Sequence, residues 1–547
     1  MKLIGNVSAD KIRGGYYTSD RLVDWTLRRV VKLAGGMPGA WLEPSAGDGA
    51  FLRGLDRLQR GERNANGRVT AIELLAEEAA KCSAVMAAAR IEGDVIHGSF
   101  FDWASESDEL FDALVGNPPY VRYQFVNAAD RAHAERLMRE LGLELKGVSN
   151  LWIPFALAGM YKLKPSAPFA LVLPSELFST VSGGQFRQML VRDFASLRLD
   201  LFPRDAFPDI LQDVVVVSGV RAKQSRERRQ ITFCEHHAAE EVAWKHTVEA
   251  SPQSWLRHLL TEAEVAAFEE ACHLTDVCSM SAVARIEVSI VTGANPFFTI
   301  DDATREKYAL HAWTRPLLAR TADCPGLTFT EPDHDQARQQ GSRAWILDFS
   351  AERPDPTKHV QARAYLAGGE AERLQDRFKC RIREPWYRVP QIRSGRLLLS
   401  KRAHLYHRLI LNNADVFTTD TIYRGQMLPH FADRAEDLVA GFQNSLTLLS
   451  SEIEGRTYGG GVLELVPSEA ARLRVPLVRM VNLLPRLDQL SRTHGGQKDA
   501  SGAILETTDA ALAKQLPGYA NLLPLLRSAR QRLHDRRMAT QQLRTKN

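Results

Sequence analysis

Seven short apolar runs, separated by turns and helix-like stretches, fill the first 220 residues, and this alternation leaves few folds open to the chain. AWLEP runs into a glycine-rich turn, and VTAIEL precedes the alanine-rich LAEEAAKCSAVMAAAR. DVIHGSF, FDALVG, FALVLP, LRLDLF and DVVVVSGVRA follow in order. Runs this short, bounded by turns and spaced by helices, predict a parallel, doubly wound α/β sheet. Ligands of such sheets bind at the C-terminal ends of the strands, so the residues just past each run are the ones to inspect.

A chain of 547 residues is too long for one ordinary core and predicts two to four domains. Apolar content of 44% with 25% charged residues is that of a soluble globular protein. No stretch approaches the roughly 18–20 apolar residues of a membrane helix. The opening MKLIGNVSADKIRGG has no apolar core of a secretory signal, so a cytoplasmic protein is expected. The six cysteines lack CxxC spacing. Cys272 and Cys278 flank His273 without a second ligand pair, so no metal is expected and the thiols read as reduced and mostly buried. The net charge of +4 neither demands nor excludes nucleic acid. Charge is concentrated in RAKQSRERRQ (221–230) and in an arginine-rich tail; these read as a solvated linker and a terminal helix as readily as nucleic-acid contacts. Past about residue 221 the pattern becomes irregular. A catalytic domain over 1–250 is expected, its boundary between 221 and 275, followed by a mixed α+β module over 251–547 with a helical end at 504–540.

Three constellations carry chemistry. In Glu43-Pro44-Ser45-Ala46-Gly47-Asp48-Gly49 a strand enters a GxG turn, whose glycines allow a tight bend and close approach to a ligand. The third glycine of a nicotinamide fingerprint is replaced by Leu52, which weakens a pyrophosphate reading. Glu73, at the tip of the second strand, is placed to accept hydrogen bonds from the ribose hydroxyls of an adenosine ligand.

The third, Asn117-Pro118-Pro119-Tyr120, is the most specific. Two adjacent prolines stiffen the loop. An aromatic amine is a poor nucleophile because its lone pair is delocalised into the ring. Two fixed acceptors, the Asn117 side-chain oxygen and the Pro118 carbonyl, can hold its two hydrogens, orient the nitrogen and carry the positive charge that develops on transfer. Tyr120 offers a face for stacking a base.

On these residues the chain resembles the adenine-N6 DNA methyltransferases of bacterial type II restriction–modification systems, in particular the gamma group, where the cofactor region precedes NPPY and target recognition comes last. The resemblance covers about residues 14–220. It implies a class I S-adenosylmethionine-dependent fold with a C-terminal DNA-recognition domain. It further implies a cofactor site from Tyr17, Thr18, Glu43, Pro44, Ser45, Gly47, Gly49, Glu73, Phe100 and Asn117. Ser99 stands where the family often has an acid. The catalytic set it implies is Asn117, Pro118, Pro119, Tyr120 and Phe207, with Phe207 against the other face of a flipped base. Asn150, which opens the next helix as Asn-Leu-Trp, resembles a segment beside the active site and is a candidate for DNA contact. Arg381, Arg383 and Arg388, around Trp386 and Tyr387, are candidates for DNA contact, although a packed aromatic pair with surface arginines reads equally well.

The expected partners are double-stranded DNA and, where one exists, a cognate restriction endonuclease; the enzyme is expected to act as a monomer. Adenine methylation of RNA and methylation of a protein glutamine use the same NPPY chemistry. The long C-terminal module argues against the protein substrate, and the order of segments favours DNA over RNA.

Overall fold

A computed structural model describes residues 18–61, 67–89, 91–143, 150–202, 214–237, 240–390, 392–458, 461–493 and 498–539. Two compact units divide the chain, Met1–Glu262 and Ala263–Asn547.

The first unit is built on a nine-stranded sheet. Its strands are β1 (Ala40–Glu43), β2 (Arg68–Glu73), β3 (Gly93–His97), β4 (Ala113–Gly116), β5 (Pro168–Pro174), β6 (Phe194–Leu201), β7 (Val214–Arg221), β8 (Arg228–His236) and β9 (Glu241–Glu249). They lie in the order β3-β2-β1-β4-β5-β7-β6-β8-β9. From β3 to β5 all pairings are parallel. All seven residues of β5 are buried, as expected of a central strand covered on both faces. The all-parallel expectation fails at β7, which lies antiparallel to both β5 and β6. Its run of valines shows burial and not direction, so the reversal is invisible in the apolar pattern. The charged stretch 221–250 is also corrected. It contributes β8, parallel to β6, and β9, antiparallel to β8, with RAKQSRERRQ forming the turn and the start of β8. Their outward arginines, glutamates and lysine belong to half-exposed strands rather than to a linker.

The helices place the site. Helix α1 (Asp20–Ala34) buries Leu22, Val23, Thr26, Leu27 and Val30 on one face and ends at Gly35, whose φ of +74° is the left-handed helix stop. Helix α2 (Ala50–Gly61) follows β1. Its Gly54 lets α1 approach so closely that a Cβ there would lie 2.4 Å from Val23. Next come α3 (Ala76–Ala89), α4 (Phe100–Glu106), α5 (Ala128–Glu140), α6 (Trp152–Tyr161) and α7 (Gly184–Asp193). Arg187 of α7, 1% exposed, donates to the carbonyls of Leu177, Thr180, Pro252 and Gln253, and its burial pushes it down to about 10. These bonds tie residues 252 and 253 to the catalytic unit.

The second unit holds a five-stranded sheet in which strand Leu397–Ser400 lies between Ile422–Met427 and Leu409–Asn412. Smaller sheets surround it, and helices Lys498–Gln515 and Tyr519–Ala539 close the chain. Among the described residues no helix is long and apolar enough to cross a membrane.

Candidate active site

The sheet reverses its direction of build-up between β1 and β4, and a crevice opens beyond the C-terminal ends of these two strands. From β1 the chain turns through Pro44–Gly49 into α2. Gly47 and Gly49 take φ values of +55° and +81°, a backbone that other residues avoid. The turn is fastened to its neighbours. Ala46 N–H donates to the Ile72 carbonyl and Gly49 N–H to the Ala46 carbonyl, both at 2.9 Å. Gly47 N–H donates to Glu73 Oε2 at 2.8 Å, and Leu75 N–H to Glu73 Oε1 at 2.9 Å. Leu74 and Leu75 are exposed and form an apolar lip beside that carboxylate. Sequence reasoning missed the lip, although the apolar run continuing past Glu73 was its signal.

Glu43 is 1% exposed, and neither of its carboxylate oxygens has a hydrogen-bond partner. Burial, then the charges of Glu73 and Asp48, hold its carboxyl well above the usual carboxylate range. The Cys82 thiol, which donates to the Gly47 carbonyl, is pushed up to about 12 by burial and by the same acids. This turn therefore carries negative potential and unsatisfied buried acceptors. A ligand with positive charge and sugar hydroxyls fits it, as S-adenosylmethionine does.

Across the crevice β4 ends at Gly116 and delivers Asn117. Ser45 Oγ donates to the Asn117 carbonyl at 3.2 Å, which joins the two loops. The Asn117 side-chain amide donates to Thr18 Oγ1 at 3.1 Å, and its Oδ1 is buried without a partner. Among the described residues nothing donates to the Pro118 carbonyl. Tyr120 Oη donates to the Val172 carbonyl of β5 at 2.9 Å; burial raises its pKa so far that it stays a neutral phenol.

Thr18, Glu43, Pro44, Ser45, Gly47, Gly49, Glu73 and Asn117 through Tyr120 thus gather at one end of the sheet. Tyr17 and Phe207 lie outside the described residues. Phe100 heads α4 and is 3% exposed, packed among Phe101, Trp103 and Phe155. Asn150 is buried, and its Oδ1 accepts from Trp152 N–H at 3.4 Å. Sequence reasoning passed over Glu176, just past the end of β5. Its carboxylate accepts from Trp152 Nε1 at 2.7 Å and is bonded by Asn150, while burial raises its pKa.

In the second unit the three arginines separate. Arg381 is exposed, with its guanidinium 5.5 Å from the Phe378 ring centre, and Arg388 is exposed as well. Arg383 donates to the carbonyls of Val291 and Thr292 at 2.7 Å each, which clamps that loop. Trp386 and Tyr387 pack against a core that includes Phe297, Phe298 and Phe349. One further cluster, Asp200, Cys234 and His236, has metal-ligand atoms within 4.8 Å of one another. Its Asp200 Oδ1 already accepts from Arg198 Nε and bonds His236 Nε2, each at 2.8 Å, while Oδ2 is buried without a partner.

The strand order, the glycine turn bonded to the acid that ends β2 and the Asn-Pro-Pro-Tyr loop are those of a class I S-adenosylmethionine-dependent methyltransferase. Residues 64–207 match the Eco57I restriction-modification methylase family, and residues 252–512 match the C-terminal domain of the type II methyltransferase M.Eco57I. The chain belongs to the methyltransferases of type II restriction–modification systems, DNA-methylating enzymes that use S-adenosylmethionine. It is 20% identical over 385 residues to the type II methyltransferase M.AccI of Acinetobacter calcoaceticus, covering 67% of this chain and 68% of that protein. Identity to M.XamI of Xanthomonas campestris pv. amaranthicola is 22% over 457 residues, 81% of each chain. Among solved structures, the type IIG restriction endonuclease BpuSI aligns with a TM-score of 0.44 at 14% identity, covering 96% of this chain and 66% of that one.

Proposed function

We propose that the enzyme methylates the exocyclic amine of adenine in DNA, on a base rotated out of the duplex into the crevice. The observation that carries this reading is the buried, partnerless Oδ1 of Asn117 beside the unengaged Pro118 carbonyl. Thr18 holds the amide by its nitrogen, so the oxygen is the atom presented. A primary aromatic amine brings two hydrogens, one for each acceptor. Fixed acceptors orient the nitrogen lone pair and stabilise the charge that grows on it, without reorganisation as the reaction proceeds. A ring carbon offers no such hydrogens. The Tyr120 ring receives one face of the base, and unstacking the base costs a few kcal/mol that stacking here offsets.

S-adenosylmethionine supplies a methyl group on a cationic sulfonium. On the protein side, Glu73 receives ribose hydroxyls, Gly47 and Gly49 bring backbone close, Leu74 covers an apolar ring, and Glu43 supplies negative potential. The exposed Arg381 and Arg388 of the second unit serve DNA, and Arg383 serves the fold. Incubation with mixed-sequence plasmid and labelled S-adenosylmethionine, followed by digestion to nucleosides, is expected to place the label in N6-methyladenine. Label in N4-methylcytosine, or only in RNA or protein, overturns the reading.

The sign of the pH dependence follows from Glu43. Burial disfavours its charged form, so stability of the free protein falls as pH rises through the raised pKa. A cation bound nearby favours the charged form, so binding S-adenosylmethionine releases a proton and tightens as pH rises. Calorimetry over a series of pH values above the usual carboxylate range is expected to show this trend in wild type and a flatter profile in Glu43→Gln. Parallel profiles would remove Glu43 from cofactor binding.

A further inference from the structure

Beside α1 the catalytic unit carries a cavity of about 600 Å³ whose wall is rich in cations. Arg21, Trp25, Arg28 and Lys32 recur at steps of four, three and four residues, which places them on one helix face, and Arg29 lies beside them. From Arg21 to Lys32 the stripe is about 16 Å long at ~1.5 Å per residue.

The acids nearby are engaged, save that Asp200 Oδ2 is buried without a partner. Asp24 pairs with Arg57 at 2.7 Å. Glu241 pairs with Arg198 at 2.6 Å, and Asp200 is held by Arg198 and His236. Among the described residues Arg21, Arg28, Arg29 and Lys32 have no ion-pair partner, so four positive charges share one wall. Arg29 is the informative member. It is half-buried, its Nε donates to Ser218 Oγ at 3.0 Å, and the rest of its guanidinium has no acid within ion-pair distance. Asp200 and Glu241 act on it only from beyond ion-pair distance and burial outweighs them, so a further anion would complete it. Trp25, held edge-on by Phe202 and His236, makes the wall rigid.

Position narrows the anion. α1 starts two residues after Thr18, the residue that holds the Asn117 amide, so the stripe begins within a turn of the reacting centre. Phosphates of one DNA strand recur every ~3.4 Å of helix axis, so a stripe of this length follows several of them. We propose that the α1 face binds the phosphodiester backbone of the DNA near the methylated base, so that the catalytic unit itself grips the substrate. The proposal rests on the DNA-methylating reading above.

The test uses the full chain, with Arg28→Glu and Lys32→Glu combined. Both positions are exposed, so the fold should tolerate them. Affinity for a labelled mixed-sequence duplex is measured by anisotropy over a range of salt. Two lost phosphate contacts are expected to make the slope of log K against log salt shallower by about 1.8, with affinity at low salt falling at least about tenfold. S-adenosylmethionine binding should stay at the wild-type value, which reports an intact fold. The same two reversals at Lys223 and Arg226, in the turn at the opposite end of the sheet, should leave the slope unchanged. An unchanged slope in the α1 variant, or an equal loss in the control, overturns the proposal. Calorimetry with inorganic phosphate and with ADP separates the other source of phosphate. Binding of either that vanishes in the α1 variant while the DNA slope holds assigns the cavity to a free phosphate ligand instead. A wild-type enzyme that neither binds DNA nor labels it overturns the underlying reading, and this one with it.

Discussion

An Asn117→Ala enzyme is expected to bind S-adenosylmethionine within a few-fold of wild type while its kcat falls by roughly 10²–10³, the usual cost of removing one preorganised partner of a developing charge. The split follows from the geometry. Asn117 meets the cofactor turn through its backbone carbonyl, bonded by Ser45, and alanine keeps that carbonyl. What alanine removes is the buried Oδ1 and the amide that bonds Thr18. Single-turnover methylation and isothermal calorimetry on the same preparation separate the two effects. Near-normal turnover would show that Asn117 does not touch the amine. Asn117→Asp offers a second check: it keeps an acceptor but brings a charge against the acids across the crevice, so it should bind the cofactor normally and turn over slowly.

Glu73→Ala is expected to give the largest effect on cofactor affinity, raising the dissociation constant about 100-fold and leaving kcat at saturation close to wild type. Hydrogen bonds to a charged group contribute about 1.5–3 kcal/mol each, and on the proposed reading two sugar hydroxyls meet this carboxylate. The same carboxylate also receives Gly47 N–H and Leu75 N–H, so its loss loosens the glycine turn itself. Glu73→Gln retains one acceptor and should recover part of the affinity. An unchanged dissociation constant in the alanine variant would place the cofactor elsewhere.

The legible parts of this molecule were those written in local pattern. Buried parallel strands are continuous apolar runs, so β1 to β7 are visible as segments, and each chemical motif sits just beyond one of them. Strand direction is a relation between distant segments, and the antiparallel placement of β7 leaves no trace in DVVVVSGVRA. The strands β8 and β9 were concealed for a different reason. Their outward positions carry Arg228, Arg229, Lys245 and Glu249, and a half-exposed strand with this much charge resembles a linker. At the site, Asn117 declares itself by its prolines, whereas Glu176 depends on Trp152 and Asn150, more than twenty residues earlier in the chain. In the second unit Arg381, Arg383 and Arg388 are alike in sequence, and only the carbonyls of Val291 and Thr292 show that the middle one is a clamp.

The hydrogen bond from Tyr120 to the Val172 carbonyl has a consequence for the timing of the proposed base capture. An aromatic ring tethered through its hydroxyl to the central strand of a sheet cannot swing its tip away without first breaking that tether. The tip of the ring is therefore held while the crevice is still empty, and on the proposed reading an arriving base meets a surface already in position. Ordering is completed during folding, once per molecule, instead of once per turnover. A Tyr120→Phe enzyme keeps the surface and loses the anchor. Its base-binding face would have to be set anew on each encounter, a burden that falls on the rate of capture rather than on the methylation step itself.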